Sequence, residues 1–134
     1  MSVTEDQIRA LVSAAKSASE AAYCPYSRFR VGAAVLADDG TVTAGCNVEN
    51  ASFGLTICAE RNAVFRAVCD GRRRVLAVAV YTPTPEPTAP CGACRQVLHE
   101  FGPDALVIGA CDGPSILRAS LRELLPHAFG PESL

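Results

Sequence analysis

Three cysteines occupy positions from which thiolates could bind one metal ion. Cys58 lies in TICAERNAV (56–64), and Cys91 and Cys94 form the C-x-x-C of APCGACRQVL (89–98). Residues three apart at a helix start project from one face. The free N–H groups and the positive dipole end of a helix N-terminus also lower the pKa of a thiol. Two such helix starts facing each other could hold three thiolates around Zn²⁺.

The number of protein ligands separates two kinds of zinc site. Structural zinc sites have four protein ligands, whereas catalytic sites have three and a water molecule. His99 follows Cys94 by five residues and is rotated off its helix face, while His127 and Cys46 lack the spacing of ligands. We therefore expect three protein ligands and an open position for water.

Charged residues beside the cysteines suggest chemistry at this site. Glu60 could be an ordinary carboxylate favoured by the dipole of a helix start, or a general acid/base beside an activated water. The neighbouring cysteines favour the second interpretation. Arg61 and Arg95 each follow a candidate ligand, and their charge could offset the negative charge of Zn²⁺ with three thiolates. The alternative is that both are surface arginines.

Composition excludes several classes of protein. The chain has 134 residues, 49% of them hydrophobic, and a net charge of -2, which suits a single domain over residues 1–134. GRRRV (71–75) is the only basic run, and we interpret it as a solvated turn, so no nucleic-acid partner is expected. No apolar run approaches the roughly 18 residues of a membrane span.

Cysteine usage indicates the cellular compartment. The chain has 7 cysteines, an odd number, and its first residues, MSVTEDQIRA, lack the apolar region of a signal peptide. We therefore expect a cytoplasmic protein with reduced thiols, whose cysteines serve metal binding or catalysis more than disulfides. Cys24, Cys46, Cys69 and Cys111 are interpreted as packing residues.

Hydrophobic periodicity predicts the elements that must position these residues. Thr4 and Ser120 begin capping boxes, Thr56 is a candidate helix cap, and DDG (38–40) is a hairpin turn. The strand at 75–82 is apolar on both faces and therefore central. The order α-β-β-α-β-α-β-α predicts a mixed sheet covered by helices on both faces. The predicted helices are 4–22, 57–70, 91–101 and 120–125, and the predicted strands are 29–37, 41–48, 75–82 and 105–110.

Four segments, in order, resemble the cytidine deaminases that act on free nucleosides. CAE (58–60) and PCGAC (90–94) match the signature of zinc-dependent base and nucleoside deaminases. The resemblance covers nearly the whole chain and implies a three-layer α/β/α fold with a central mixed five-stranded sheet. The segments are YCPYSRFRVGAAV (23–35), GCNVENASFGLTICAERNA (45–63), PCGACRQVL (90–98) and LLPHAF (124–129).

The resemblance implies a reaction and its metal. Cys58, Cys91 and Cys94 would bind one Zn²⁺ per subunit, and Glu60 would carry a proton from the zinc-bound water to N3 of cytosine and later to the leaving amine. The implied reaction is hydrolytic deamination of cytidine and deoxycytidine to uridine and deoxyuridine, with release of ammonia, in pyrimidine salvage.

Substrate contacts are also implied by the resemblance. Asn47 and Glu49 would hold the ribose 3′-hydroxyl, Phe29 would pack near base and sugar, and the backbone of Ala59 would meet the base edge. An amide and a carboxylate two apart in an extended segment share one face, which suits a hydroxyl. Phe29 could equally be a core aromatic, and Asn47 and Glu49 ordinary residues of a strand end.

The family resemblance further implies a homotetramer with active sites at subunit interfaces. Phe129 and the aromatic residue before CAE would then reach a neighbouring site. That residue is commonly tyrosine in the family, whereas this chain has Phe53, which removes the hydrogen bond of a tyrosyl hydroxyl but leaves the zinc ligands and Glu60 untouched.

Two alternatives remain open at this stage. A zinc deaminase of another amino-heterocycle would share the same chemistry, although NVEN (47–50) favours a free nucleoside because Glu49 would repel a 3′-phosphate. A structural zinc or redox module could use the CGAC dithiol (91–94). In a redox module, however, Cys58 and Glu60 would have no role.

Overall fold

A mixed sheet forms the centre of the fold. The computed structural model describes residues 2–134, and its sheet has five strands in the order β2-β1-β3-β4-β5. The pair β3/β4 is parallel and all other neighbours are antiparallel. The predicted central position of the apolar third strand is confirmed. The strands are β1 (Gly32–Ala37), β2 (Val42–Cys46), β3 (Val75–Tyr81), β4 (Leu106–Ala110) and β5 (Leu117–Ser120).

Helices cover both faces of this sheet, as predicted. They are α1 (Glu5–Ser19), α2 (Ala59–Cys69), α3 (Gly92–Phe101) and the short α4 (Leu121–Leu124). Alternate residues of β1 point to opposite layers: Ala34 and Leu36 pack with α1, while Ala33 and Val35 pack with α2. The result is a three-layer α/β/α fold with two cores. None of the helices in residues 2–134 combines the length and the apolar composition that crossing a bilayer requires.

Several predicted boundaries were wrong, each for a physical reason. The pattern missed β5, a four-residue edge strand whose residues are all at least partly exposed, although the resemblance implied a fifth strand. Thr56 does not cap α2; it ends the 3-10 helix Phe53–Leu55, and the helix begins at Ala59. The strand predicted from residue 29 begins at Gly32. Before that residue, the Asn47 side chain forms hydrogen bonds with the backbone carbonyl of Phe29 and the backbone N–H of Val31, in place of a neighbouring strand.

Glycine is needed at two positions, one in a turn and one where β2 meets α2. Gly40 has φ of +86° in the predicted hairpin turn between β1 and β2, a conformation that L side chains rarely adopt. At Gly45, a Cβ atom would lie 2.5 Å from the backbone nitrogen of Ala63. A side chain at position 45 would therefore push α2 away from β2 and move the start of that helix.

Candidate metal and catalytic site

The three candidate ligands lie at the starts of two helices. Cys58 occupies the N-cap position of α2 and Cys91 that of α3, both with extended backbone, and Cys94 lies in the first turn of α3. Neither N-cap thiol makes the side-chain hydrogen bond that usually caps a helix. Both sulfur atoms are therefore free to serve a metal, and each lies at the positive end of a helix dipole.

The distances between the sulfur atoms fit a single zinc ion. Cys58 Sγ and Cys91 Sγ are 3.9 Å apart, and Cys91 Sγ and Cys94 Sγ are 3.5 Å apart. All three sulfurs lie within 4.8 Å of one another. Tetrahedral bonds of about 2.3 Å to zinc place two thiolates about 3.8 Å apart, so this donor set matches Zn²⁺. Within residues 2–134 no other group of three or more such side chains has ligand spacing.

The electrostatic surroundings differ between Cys58 and Cys94. The adjacent Cys94 thiol, together with Arg61 and Cys91, lowers the pKa of Cys58 to about 5. The proximity of Cys58, and burial, raise the pKa of Cys94. Of these two thiols, Cys58 therefore ionises more readily.

The two arginines differ in what they contact. Arg61 Nη2 lies 3.5 Å from Cys58 Sγ, and its buried Nε has no hydrogen-bond partner among the described residues. Arg95 instead donates from Nε to the carbonyl of Pro90 and from Nη1 to the carbonyl of Leu124, at 2.7 and 2.8 Å. The contacts of Arg61 are those of a charge partner to the thiolates, whereas those of Arg95 tie the α3 start to the end of α4.

Glu60 is a buried carboxyl group at the edge of a cavity. Only 5% of the residue is exposed, and it lies in the first turn of α2. Burial, supported by the nearby Cys58, raises the pKa of Glu60 to about 7. A carboxyl group with such a pKa can both accept and donate a proton near neutral pH.

A cavity of about 350 Å³ brings most of the predicted site residues together. Its lining includes four of the predicted substrate contacts (Phe29, Asn47, Glu49 and Ala59) beside Cys58, Glu60 and Cys91. Phe53, 73% exposed, lines an adjoining cavity of about 250 Å³ that shares Ser27, Glu49 and Thr56 with the first. Phe129, 60% exposed, lines neither cavity of its own chain.

Backbone hydrogen bonds set Asn47 and Glu49 beside the α2 start. Val48, between them, exchanges two backbone bonds of 3.0 Å with Ile57, the residue before Cys58. On its other side, Tyr23 bonds to the carbonyl of Asn47 and the N–H of Glu49. This extended segment therefore holds the predicted sugar contacts at a fixed position relative to the thiol cluster.

Two polar residues of this region were missed from the sequence. The Asn62 amide donates to the carbonyls of Cys46 at 2.8 Å and Ile57 at 3.5 Å, and so ties α2 to the end of β2. The Ser27 hydroxyl bonds to Glu49 and Phe29. Ser27 lies inside the segment YCPYSRFRVGAAV, and Asn62 stands four residues after Cys58 on the same helix face. These positions within the motifs were the sequence features that could have indicated a role for both residues.

The fold and the thiol cluster together define a zinc-dependent deaminase domain. A family described as the cytidine and deoxycytidylate deaminase zinc-binding region matches residues 5–110. The chain belongs to this family.

Individual relatives resemble the chain over nearly its full length. A cytidine deaminase of Halalkalibacterium halodurans is 51% identical over 126 residues, which cover 92% of this chain and 95% of the relative. The crystal structure of cytidine deaminase from Burkholderia pseudomallei has a TM-score of 0.88 at 49% identity, covering 95% of this chain and 100% of that one. Cytidine deaminase from Mycobacterium tuberculosis has a TM-score of 0.80 at 46% identity, covering 92% and 97%.

Proposed function

We propose that this chain catalyses the hydrolytic deamination of cytidine and deoxycytidine to uridine and deoxyuridine, releasing ammonia, in pyrimidine salvage. The observation that carries the proposal is the placement of three convergent thiols and one buried carboxyl group, Glu60, at a single cavity. The relatives named cytidine deaminase support the same reaction.

The residues have distinct roles in this proposal. Cys58, Cys91 and Cys94 hold Zn²⁺, and Arg61 offsets the charge of the thiolates. When bound, zinc supplies an activated water as the nucleophile. Glu60 takes up a proton from the attacking water and transfers it to N3 of the cytosine ring. It then passes the proton of the new C4 hydroxyl to the leaving amine, so that a C4–O bond replaces the C4–N bond.

The cavity lining favours a neutral nucleoside over a nucleotide. The acidic residues of the lining are Glu49, which is ionised at neutral pH, and Glu60, whose pKa is about 7, and none of the lining residues that the structure describes is lysine or arginine. A phosphate group in the cavity would therefore be repelled by carboxylate charge, and no cationic side chain of the lining would neutralise it. Asn47 and Glu49 bind the sugar, Phe29 packs near base and sugar, and the backbone of Ala59 meets the base edge.

The proposal extends to the assembly and its compartment. The whole chain, residues 1–134, acts as one domain, and four chains form a homotetramer in which Phe53 and Phe129 reach neighbouring sites. The exposure of both rings supports this arrangement. Arg95 adds to the charge balance through its position beside Cys94. All seven cysteines carry free thiols, which fits the cytoplasm, where thiols stay reduced.

The test is ammonia release by the purified zinc-loaded protein from four compounds: cytidine, deoxycytidine, cytosine and deoxycytidylate. Turnover of both nucleosides, with little turnover of the base or the nucleotide, is the expected result. Absence of turnover with cytidine would overturn the proposed reaction.

A further inference from the structure

We propose that Ser27 is a positioning residue that fixes Glu49 and Phe29 in one hydrogen-bonded unit and thereby sets the affinity for the nucleoside. This inference rests on the proposed function. The Ser27 hydroxyl donates to Oε2 of Glu49 and accepts the backbone N–H of Phe29 at 3.0 Å. A single hydroxyl group therefore connects a sugar contact with an aromatic wall of the cavity.

The carboxylate of Glu49 is oriented almost entirely by the turn that contains Ser27. Its Oε1 accepts the backbone N–H groups of Tyr26 at 3.0 Å and Ser27 at 3.1 Å. Together with the Ser27 hydroxyl, these bonds occupy three of the about four acceptor positions of a carboxylate. The hydrogen bond from Ser27 is also the main cause that lowers the pKa of Glu49. An ionised, fixed carboxylate keeps a remaining acceptor for a sugar hydroxyl.

Phe29 is anchored through its backbone at two points. Its N–H donates to Ser27 Oγ, and its carbonyl accepts from Asn47 Nδ2 at 2.8 Å. Between Ser27 and Phe29 lies Arg28, whose φ of 58° falls in the left-handed region that non-glycine residues seldom adopt. Local hydrogen bonds must hold such a turn, and the Ser27 hydroxyl supplies one across it.

Loss of this hydroxyl should weaken binding without touching the reaction centre. Ser27 is exposed and lies outside both hydrophobic cores, so its replacement leaves the packing of the fold intact. In Ser27→Ala, Glu49 and Phe29 would have to be ordered by the substrate itself, at a cost in affinity. A loss of binding shared by ground state and transition state raises KM and leaves kcat unchanged.

The experiment compares steady-state kinetics with cytidine for wild type, Ser27→Ala and Ser27→Thr, with Ser13→Ala as the matched control. Ser13 is an exposed serine of α1, on the other side of the sheet from α2. Ser27→Ala should raise KM about three- to tenfold, the effect of one hydrogen bond, with kcat within about twofold and full zinc content. Ser27→Thr keeps the hydroxyl and should restore most of the affinity, while Ser13→Ala should match wild type.

A double variant separates positioning from a general structural role. If Ser27 acts through Glu49, adding Ser27→Ala to Glu49→Gln should raise KM much less than it does in wild type. Equal KM values for wild type and Ser27→Ala, or full additivity with Glu49→Gln, would overturn the role of Ser27. A wild-type protein that fails to deaminate cytidine would instead overturn the proposed function.

Discussion

The sulfur atoms of Cys58 and Cys91 lie 3.9 Å apart although 33 residues separate them in the chain. Each of these cysteines occupies the N-cap position of its own helix. The convergence of two helix starts therefore creates a donor set that neither helix provides alone. A metal bound there would link α2 to α3, so that occupation of the site contributes to stability as well as to catalysis.

Replacement of a thiol should remove the metal. Cys91→Ala leaves two sulfurs, and we expect loss of tightly bound zinc, loss of turnover and a lower Tm, because metal binding to the folded chain stabilises it. Atomic absorption on gel-filtered protein measures the zinc, and thermal unfolding measures the stability.

The control for this variant is Cys69→Ala, at the exposed last residue of α2. It should keep its zinc and its turnover. A Cys91→Ala protein with one zinc per chain would show that the assigned ligand set is wrong.

Glu60 should be needed for the reaction and not for the metal. Glu60→Gln keeps the size of the side chain but cannot carry a proton, so kcat for cytidine should fall by about 10² or more. Zinc content and Tm should stay close to wild type. Measurement of kcat beside zinc content separates the two effects, and substantial turnover by Glu60→Gln would contradict the proton-transfer role.

Glu49 should act on nucleoside binding. Glu49→Gln removes the negative charge and weakens the acceptor for the sugar hydroxyl, so KM for cytidine should rise by about tenfold, as for hydrogen bonds to charged groups. Initial rates across a range of cytidine concentrations give the value. Glu100→Gln, an exposed site of α3, is the control, and unchanged KM in Glu49→Gln would place Glu49 outside the site.

The ion pair between α1 and β5 should make stability depend on pH. Arg118 donates two hydrogen bonds of 2.9 Å to Glu5, and these bonds lower the pKa of Glu5. A carboxyl group whose pKa is lower in the folded state stabilises the fold above its unfolded pKa of about 4.3, and this contribution is lost as pH falls through the folded pKa.

Arg118→Met should therefore be less stable than wild type at pH 7, and the difference should shrink as the pH falls below about 4. Urea unfolding of both proteins at a series of pH values measures this difference. A difference that is constant across the series would assign the effect to packing and not to charge.

The sequence predicted the chemistry better than the geometry that supports it. Cys58, Glu60 and the C-x-x-C pair match the signature of zinc-dependent deaminases, which is why their convergence at one site could be expected although 33 residues separate Cys58 from Cys91. Ser27 and Asn62 were missed because no motif assigned them a role, and because their contacts with Glu49 and Cys46, 22 and 16 residues away, are visible only in the folded chain. Such contacts depend on how strands and loops meet.

Local patterns also failed where tertiary contacts decide the structure. β5 is too short and too polar to give a strand signal, and it exists because β4 offers an edge for pairing. The α2 start was misplaced because Thr56 has the chemistry of a cap, whereas Ile57 is held in extended conformation by Val48. The helix can begin only after that bridge, which puts Cys58 at the N-cap.

The most direct test of this account is a zinc titration of metal-free protein with cytidine as substrate. Chelator-treated protein should form no uridine, and turnover should rise in proportion to added Zn²⁺ until one equivalent per chain is bound. Equal turnover by the metal-free and the loaded protein, or saturation with zinc without any uridine, would contradict the proposal that Cys58, Cys91, Cys94 and Glu60 form a zinc-dependent deaminase site.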